Sequence, residues 1–155
     1  MGTDPDDEIC GIPVFTTFDI IANEQERLAS NGFPLFMGTG RGKITWTNPV
    51  NDQTVTLTFA GASKDLTVTD NGDGTITLRT AVIGAPELIK SSNGAVASID
   101  AGRVVFVSVL DFNGTPTNTD DDVFISGYIE SISGPHPDLE SDFELFCAVV
   151  VPLLT

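Results

Sequence analysis

The chain has 155 residues, a length that suits one domain. Hydrophobic residues make up 41% of it, enough for a core, and no apolar run approaches the length of a membrane span. The 22 acidic against 7 basic side chains leave a net charge of −15, a field that repels phosphate backbones and anionic lipid and so argues against nucleic-acid and membrane-surface binding, while the short apolar runs argue against membrane insertion.

Met1-Gly2 ahead of an acidic leader reads as the start of a mature secreted protein whose signal peptide has been removed. Residues 1–9 are expected to be a disordered acidic tail, and residues 10–155 a single β-domain. Cys10 lies in phase with Ile12, Val14, Phe18 and Ile20, which places it on the apolar face of a first strand over 10–21. Cys147 lies in phase with Phe143, Leu145, Val149 and Val151, the apolar face of a last strand over 143–151. Terminal strands of β-domains often neighbour each other, so a Cys10–Cys147 bridge is expected, the alternative being two inert buried thiols. Such a bridge would close nearly the whole chain, contribute at most roughly 5 kcal/mol by chain entropy, and imply an oxidising compartment.

The segment Asn23 to Ser30 contains good helix formers, but an exposed strand or loop turning at Asn31-Gly32 suits it better. Phe33 to Met37 reads as a short edge strand because of Pro34. Gly38-Thr39-Gly40-Arg41-Gly42 reads as a glycine-rich turn. It is no phosphate cradle, since a strand rather than a helix follows it.

Lys43 to Thr80 organises the chain as two β-hairpins in series. Ile44 and Trp46 alternate with threonines, Asn48-Pro49 and Asn51-Asp52 turn the chain, and Val55, Leu57 and Phe59 resume the alternation. Gly61-Ala62-Ser63 is expected to turn again, before Leu66 and Val68. Asp70-Asn71-Gly72-Asp73-Gly74 is a strong turn, followed by Ile76 and Leu78. A calcium loop fits there poorly: Thr69 would take the first ligand position and Thr80 the twelfth, where a Glu is needed.

Pro86 interrupts the next stretch, and residues 87–90 read as a strand or a single turn. Ala95 to Asp100 is a weak strand, and Val104 to Leu110 a central strand covered on both faces. A polar loop over 111–122 leads to a strand over 123–132, in which Val123, Ile125 and Ile129 oppose Phe124, Ser126 and Tyr128. A proline- and acid-rich loop over 133–142 precedes the last strand. The expected fold class is all-β: an antiparallel β-sandwich or closed β-barrel of about ten short strands, with one disulfide joining terminal strands.

Cys10-Gly11 with Pro13-Val14, Thr47-Asn48-Pro49, Asp73-Gly74-Thr75, Gly102-Arg103 and the late Cys147 together resemble a loose group of small secreted actinobacterial proteins. The resemblance spans most of the chain and rests on turn and strand signatures. It implies secretion and the terminal disulfide, and it brings no catalytic residues.

Chemistry is sparse. The lone histidine, His136, lies between two prolines in an acidic loop, where a solvated side chain is expected; no Gly-x-Ser-x-Gly accompanies it to suggest a triad. A His136–Asp138–Glu140 metal site would need further ligands. Asp111 with Asp120, Asp121 and Asp122 is the weak candidate for calcium, set against a plain charged loop. Trp46 shares the phase of Ile44, so core packing suits it better than a sugar platform. No catalytic residue and no obligatory cofactor emerges. The functional expectation is a secreted, non-catalytic β-domain acting by surface-mediated binding, with an envelope component or extracellular protein as partner. A β-barrel holding a small apolar ligand is the alternative, motivated by the 10 Phe. A carboxylate-based enzyme is the remaining one.

Overall fold

A computed structural model describes residues 1–85, 87–141 and 144–155. The interruption expected at Pro86 and the place of Phe143 in the expected last strand lie outside the described residues. The chain is all-β in its body. One antiparallel sheet of nine strands runs β1 (Gly2–Ile9), β2 (Ile12–Leu28), β3 (Pro34–Thr47), β4 (Thr54–Asp70), β5 (Thr75–Gly84), β6 (Leu88–Ser91), β7 (Val96–Ser98), β8 (Gly102–Asp111) and β9 (Val123–Ser133). The order across the sheet is β1-β2-β3-β4-β5-β8-β9, with β6 pairing β4 and β7 pairing β6. Two helices close the chain, α1 (Pro137–Glu140) and α2 (Glu144–Leu154).

The sheet branches at β4. Residues 55–58 of β4 pair with β6, and residues 61–70 pair with β5 on the same side. The strand can serve both because it is 17 residues long. The turn expected at Gly61-Ala62-Ser63 is absent; these residues continue the ladder against both β3 and β5. Likewise, Gly38 to Gly42 is not a turn but the middle of β3, and Pro34 opens that interior strand rather than marking an edge. A first-residue proline sacrifices no central ladder donor, which is why the strand tolerates it.

The N-terminal residues are not a loose tail. β1 pairs antiparallel with β2 from Gly2↔Phe18 to Ile9↔Ile12. Cys10 and Gly11 form the two-residue loop between them, both at positive φ (52° and 79°), as a tight hairpin requires. Cys10 is therefore in a turn rather than on a strand face. Its bridge to Cys147 is present, across 137 residues, but Cys147 sits in α2. The expected last strand over 143–151 is a helix from Glu144. Its run of apolar residues carries no alternation, and periodicity alone cannot separate a buried strand from a buried helix in such a run.

Two clusters make the core. Val14, Trp46, Val55, Ile89, Ile99, Val150 and Leu154 gather where α2 packs on β4 and β6 at one end of the sheet. Trp46 is buried there, edge-on to Phe146 at 5.8 Å, as its phase predicts. Phe33, Leu35, Val68 and Ile76 form the second cluster near the opposite end, with Phe112 edge-on to Phe33. Asn48 and Asn51 fasten the end of α2 by donating to the Leu154 carbonyl, both at 2.9 Å.

Candidate functional site

The ladder registers sort the strand residues onto two faces of different chemistry. On one face, Phe18 of β2 lies opposite Ile44, which lies opposite Leu57. The next row is Ile20, Gly42 and Phe59. Beyond the branch, Val82, Val104 and Ile132 continue the same face, followed by Thr80, Phe106 and Ile129. α2 covers only the end of this face near Trp46. The middle is open: Phe18 is 39% exposed, Ile20 44%, Val82 42% and Ile132 41%. Between these rows Ala22, Gly40, Gly61, Gly84 and Gly102 line up across five strands.

These glycines have two different reasons. At Gly42 a Cβ would stand 2.7 Å from the Phe59 ring, and at Gly61 2.8 Å from the Ile83 carbonyl oxygen, so side chains are barred by neighbours. At Gly40 and Gly84 a Cβ would meet nothing nearer than 3.9 Å. Their bare backbone floors a trough, a groove of ≈350 Å³ lined by Phe59, Gly61, Val82 and Gly84, with Glu24 and Glu87 on its rim. Unfilled glycine inside a strand is where another backbone or a ligand approaches closely.

The opposite face carries the cations, together with exposed Ile21, Met37 and Ile83 and buried Ala81, Val105 and Val107. Arg41, Lys43, Lys64, Arg79, Lys90 and Arg103 all fall on it by register, and Arg27 continues its parity along β2. Threonines fill the spaces between them, including Thr45, Thr56, Thr58, Thr67 and Thr77. The ladder places Asp19 opposite Lys43, and Glu130 reaches Arg79 to form an ion pair. That pairing raises the Arg79 guanidinium and lowers the Glu130 carboxyl, chiefly through the hydrogen bond between them. A chain of net charge −15 thus gathers its cations on one side.

The sheet edges are guarded. β1 carries Asp4, Pro5, Asp6, Asp7 and Glu8, with a register shift between Asp4 and Asp7. β9 carries a single charge but two register shifts, at Ile125 and Glu130, which break the alternation expected there. Tyr128 and Ser126 therefore share a face with Val123, and Ile129 with Phe124. Charges, proline and bulges are the usual devices that stop an edge from templating another strand.

His136 is buried (6% exposed) rather than solvated, because it caps α1 at the junction of the β5–β6 and β7–β8 connections. Its Nδ1 lies 4.0 Å from Asp100 Oδ2, and Nε2 meets no hydrogen-bond partner among the described residues. The amide of Asp138 donates to Asp100 Oδ1 at 3.0 Å, and Asp138 Oδ1 accepts from the Phe146 amide at 2.7 Å, so Asp138 is a structural acceptor. Burial pushes the Glu87 carboxyl up, and the neighbouring Asp100 and Asp138 push it further.

The loop candidates for calcium sit at the far side. Asp111 ends β8, and Asp120 and Asp121 lie in a single 3-10 turn with Asp122 as its cap. Asp121 already accepts from the Thr115 hydroxyl at 2.9 Å, and Asp111 from the Asn113 amide at 2.8 Å. Partial burial raises the Asp122 carboxyl, with Asp121 and Asp111 adding to it. Among the described residues no three His, Cys, Asp or Glu side chains assemble a metal-holding group. The Asn71–Asp73 turn is a hairpin whose Asp73 accepts from the Thr75 amide and hydroxyl.

No family model, curated protein or solved structure matches the chain. Sequence reasoning missed the trough because glycines were read as turns. Gly38, Gly40 and Gly42 alternate with Thr39 and Arg41, and that period of two was the signal of a strand with one bare face.

Proposed function

We propose that the chain is a secreted, non-catalytic β-domain that works by surface-mediated binding, presenting its cationic, threonine-rich face to an anionic component of the cell envelope. The observation that carries this reading is the placement of six Lys and Arg side chains on one face of a strongly acidic chain. With a Debye length of about 8 Å at physiological salt, a partner resting on that face feels those cations more than the distant carboxylates. The disulfide fits an oxidising compartment outside the cytosol. Of the two closures read from the sequence, the sandwich fits better than the barrel, because β1 and β9 carry devices that resist pairing and the third free edge, β7, is only 3 residues long. The test is co-sedimentation with purified envelope fragments. Binding that falls with added salt, and by about tenfold or more on joint Arg41→Glu and Lys43→Glu replacement, supports the reading. Binding indifferent to both, or specific turnover of ester, glycoside or peptide substrates, refutes it.

The trough favours a second reading, a small apolar ligand over Gly40 and Gly84. Glu24 and Glu87 on its rim are also where a carboxylate enzyme would place its pair. Calorimetric titration with a long-chain fatty acid, against a Gly84→Leu variant that fills the trough, separates ligand binding from its absence. A glycoside turnover lost in Glu87→Gln would favour the enzyme.

A further inference from the structure

We propose that a second copy of this chain packs face to face on the apolar face, so that two open sheets complete one β-sandwich between them. Four observations converge on that occupant. The first is area. The chain exposes 8933 Å², whereas a compact monomer of 16.4 kDa exposes about 7,500 Å², an excess of about 1,400 Å². A standard interface removes about 800 Å² from each partner, so the excess is ample for a stable dimer.

The second is charge. Two chains of net charge −15 repel each other unless their contact is free of carboxylates. The carboxylates of this face stand at its margins, Asp4 and Asp7 on β1 and Glu24 and Glu26 on β2, except Asp65, which is buried and accepts from the Phe36 amide and the Thr80 hydroxyl. Every Lys and Arg that could attract a different, anionic occupant is on the other face.

The third is shape. Ile20 and Phe59 form a ridge on one side of the glycine row, and Val82 with Ile132 a ridge on the other. A two-fold axis over the trough at Gly40 and Gly84 would seat a ridge of each copy in the trough of the other, the self-complementarity that an isologous contact requires. The open space above those two glycines, where a Cβ would meet nothing nearer than 3.9 Å, is then filled by the partner. The fourth is exclusion of the competing geometry. Acids and proline on β1, the bulges on β9 and the 3-residue length of β7, the third free edge, oppose edge-to-edge pairing, which leaves the face.

Sedimentation velocity of the full, oxidised chain alone tests this, and its outcome is independent of the envelope reading because no other partner is present. The wild type is expected to sediment with twice the mass of one chain at tens of micromolar. Val82→Lys buries a charge in the contact and should weaken self-association about 100-fold or more. Gly84→Leu fills the trough and should do the same, while Thr69→Lys on the opposite face should leave the dimer intact. Trp46 emission and far-ultraviolet circular dichroism check that each variant is folded; if Val82→Lys does not fold, Gly84→Leu decides. A wild type that remains a monomer throughout, or trough variants that associate as the wild type does, overturns the proposal.

Discussion

Gly102 shows how a single missing methyl group can fix a junction. Its φ is +121°, and a Cβ there would stand 2.2 Å from the Ser133 carbonyl oxygen. Both the backbone conformation and the close approach of β9 exclude a side chain, so Gly102→Ala is expected to destabilise by about 2 kcal/mol or more. A fall in Tm of about 5 °C or more would register it, and an unchanged Tm would mean β9 is not held there. The Gly102-Arg103 pair was visible in the sequence as a strand start, but the contact was not, since it depends on a residue more than thirty positions away. Glu87 adds a pH term at the same scale. Its carboxyl is raised above the ordinary glutamate value of 4.5, first by burial and then by Asp100 and Asp138. The folded state therefore binds its proton more readily than the unfolded chain does. Stability from this group should increase as pH falls through the raised value toward 4.5, and level off below it. Denaturant titrations of Glu87→Gln should show a more stable protein at neutral pH and a flatter pH dependence across that window.

Among elements, α2 departs most from its sequence signal. Leu145, Cys147, Val149 and Val151 keep a period of two only because almost every residue there is apolar; no polar face contradicts a strand and none enforces a helix. The helix is decided by what it covers. Phe146 stacks edge-on against Trp46, and Val150 and Leu154 are fully buried against β4 and β6. Phe146→Ala should cost about 3 kcal/mol as a large-to-small change beside a buried ring, and Trp46 emission should shift to the red as water reaches it. Emission that stays put would show that α2 does not shield the indole. The hairpins at 48–53 and 71–74 were legible because Asn, Asp and Gly have a local reason to turn there. The long strands were not, because the glycines inside β3 and β4 satisfy sheet packing and look, out of context, like punctuation.

For the whole molecule, antiparallel β-structure followed from alternation; the Cys10–Cys147 bridge is present as expected, but between a turn and a helix rather than two terminal strands, and the branched sheet was not legible. Branching depends on β4 being long enough to serve two neighbours, and strand length is the least readable quantity where glycine intervenes. The two faces were likewise hidden. The net charge of −15 is a sum over the chain, and only register reveals that its cations stand together. Joint Cys10→Ser and Cys147→Ser replacement removes a cross-link over 137 residues and should cost about 3 kcal/mol, lowering Tm by about 10 °C. Equal stability with and without reductant would show that the bridge adds nothing to folding.

That cross-link also decides how the protein bears mechanical load. A pull on the two termini passes from Cys10 directly into Cys147, and the strands between them carry none of it. Only the short arms outside the bond can be drawn out, to a total contour of about 60 Å at about 3.6 Å per residue, against about 550 Å for the whole reduced chain. A stretched single molecule should therefore behave as a nearly inextensible tether until a thiol reagent opens it, a useful property for anything anchored at one end and tugged at the other.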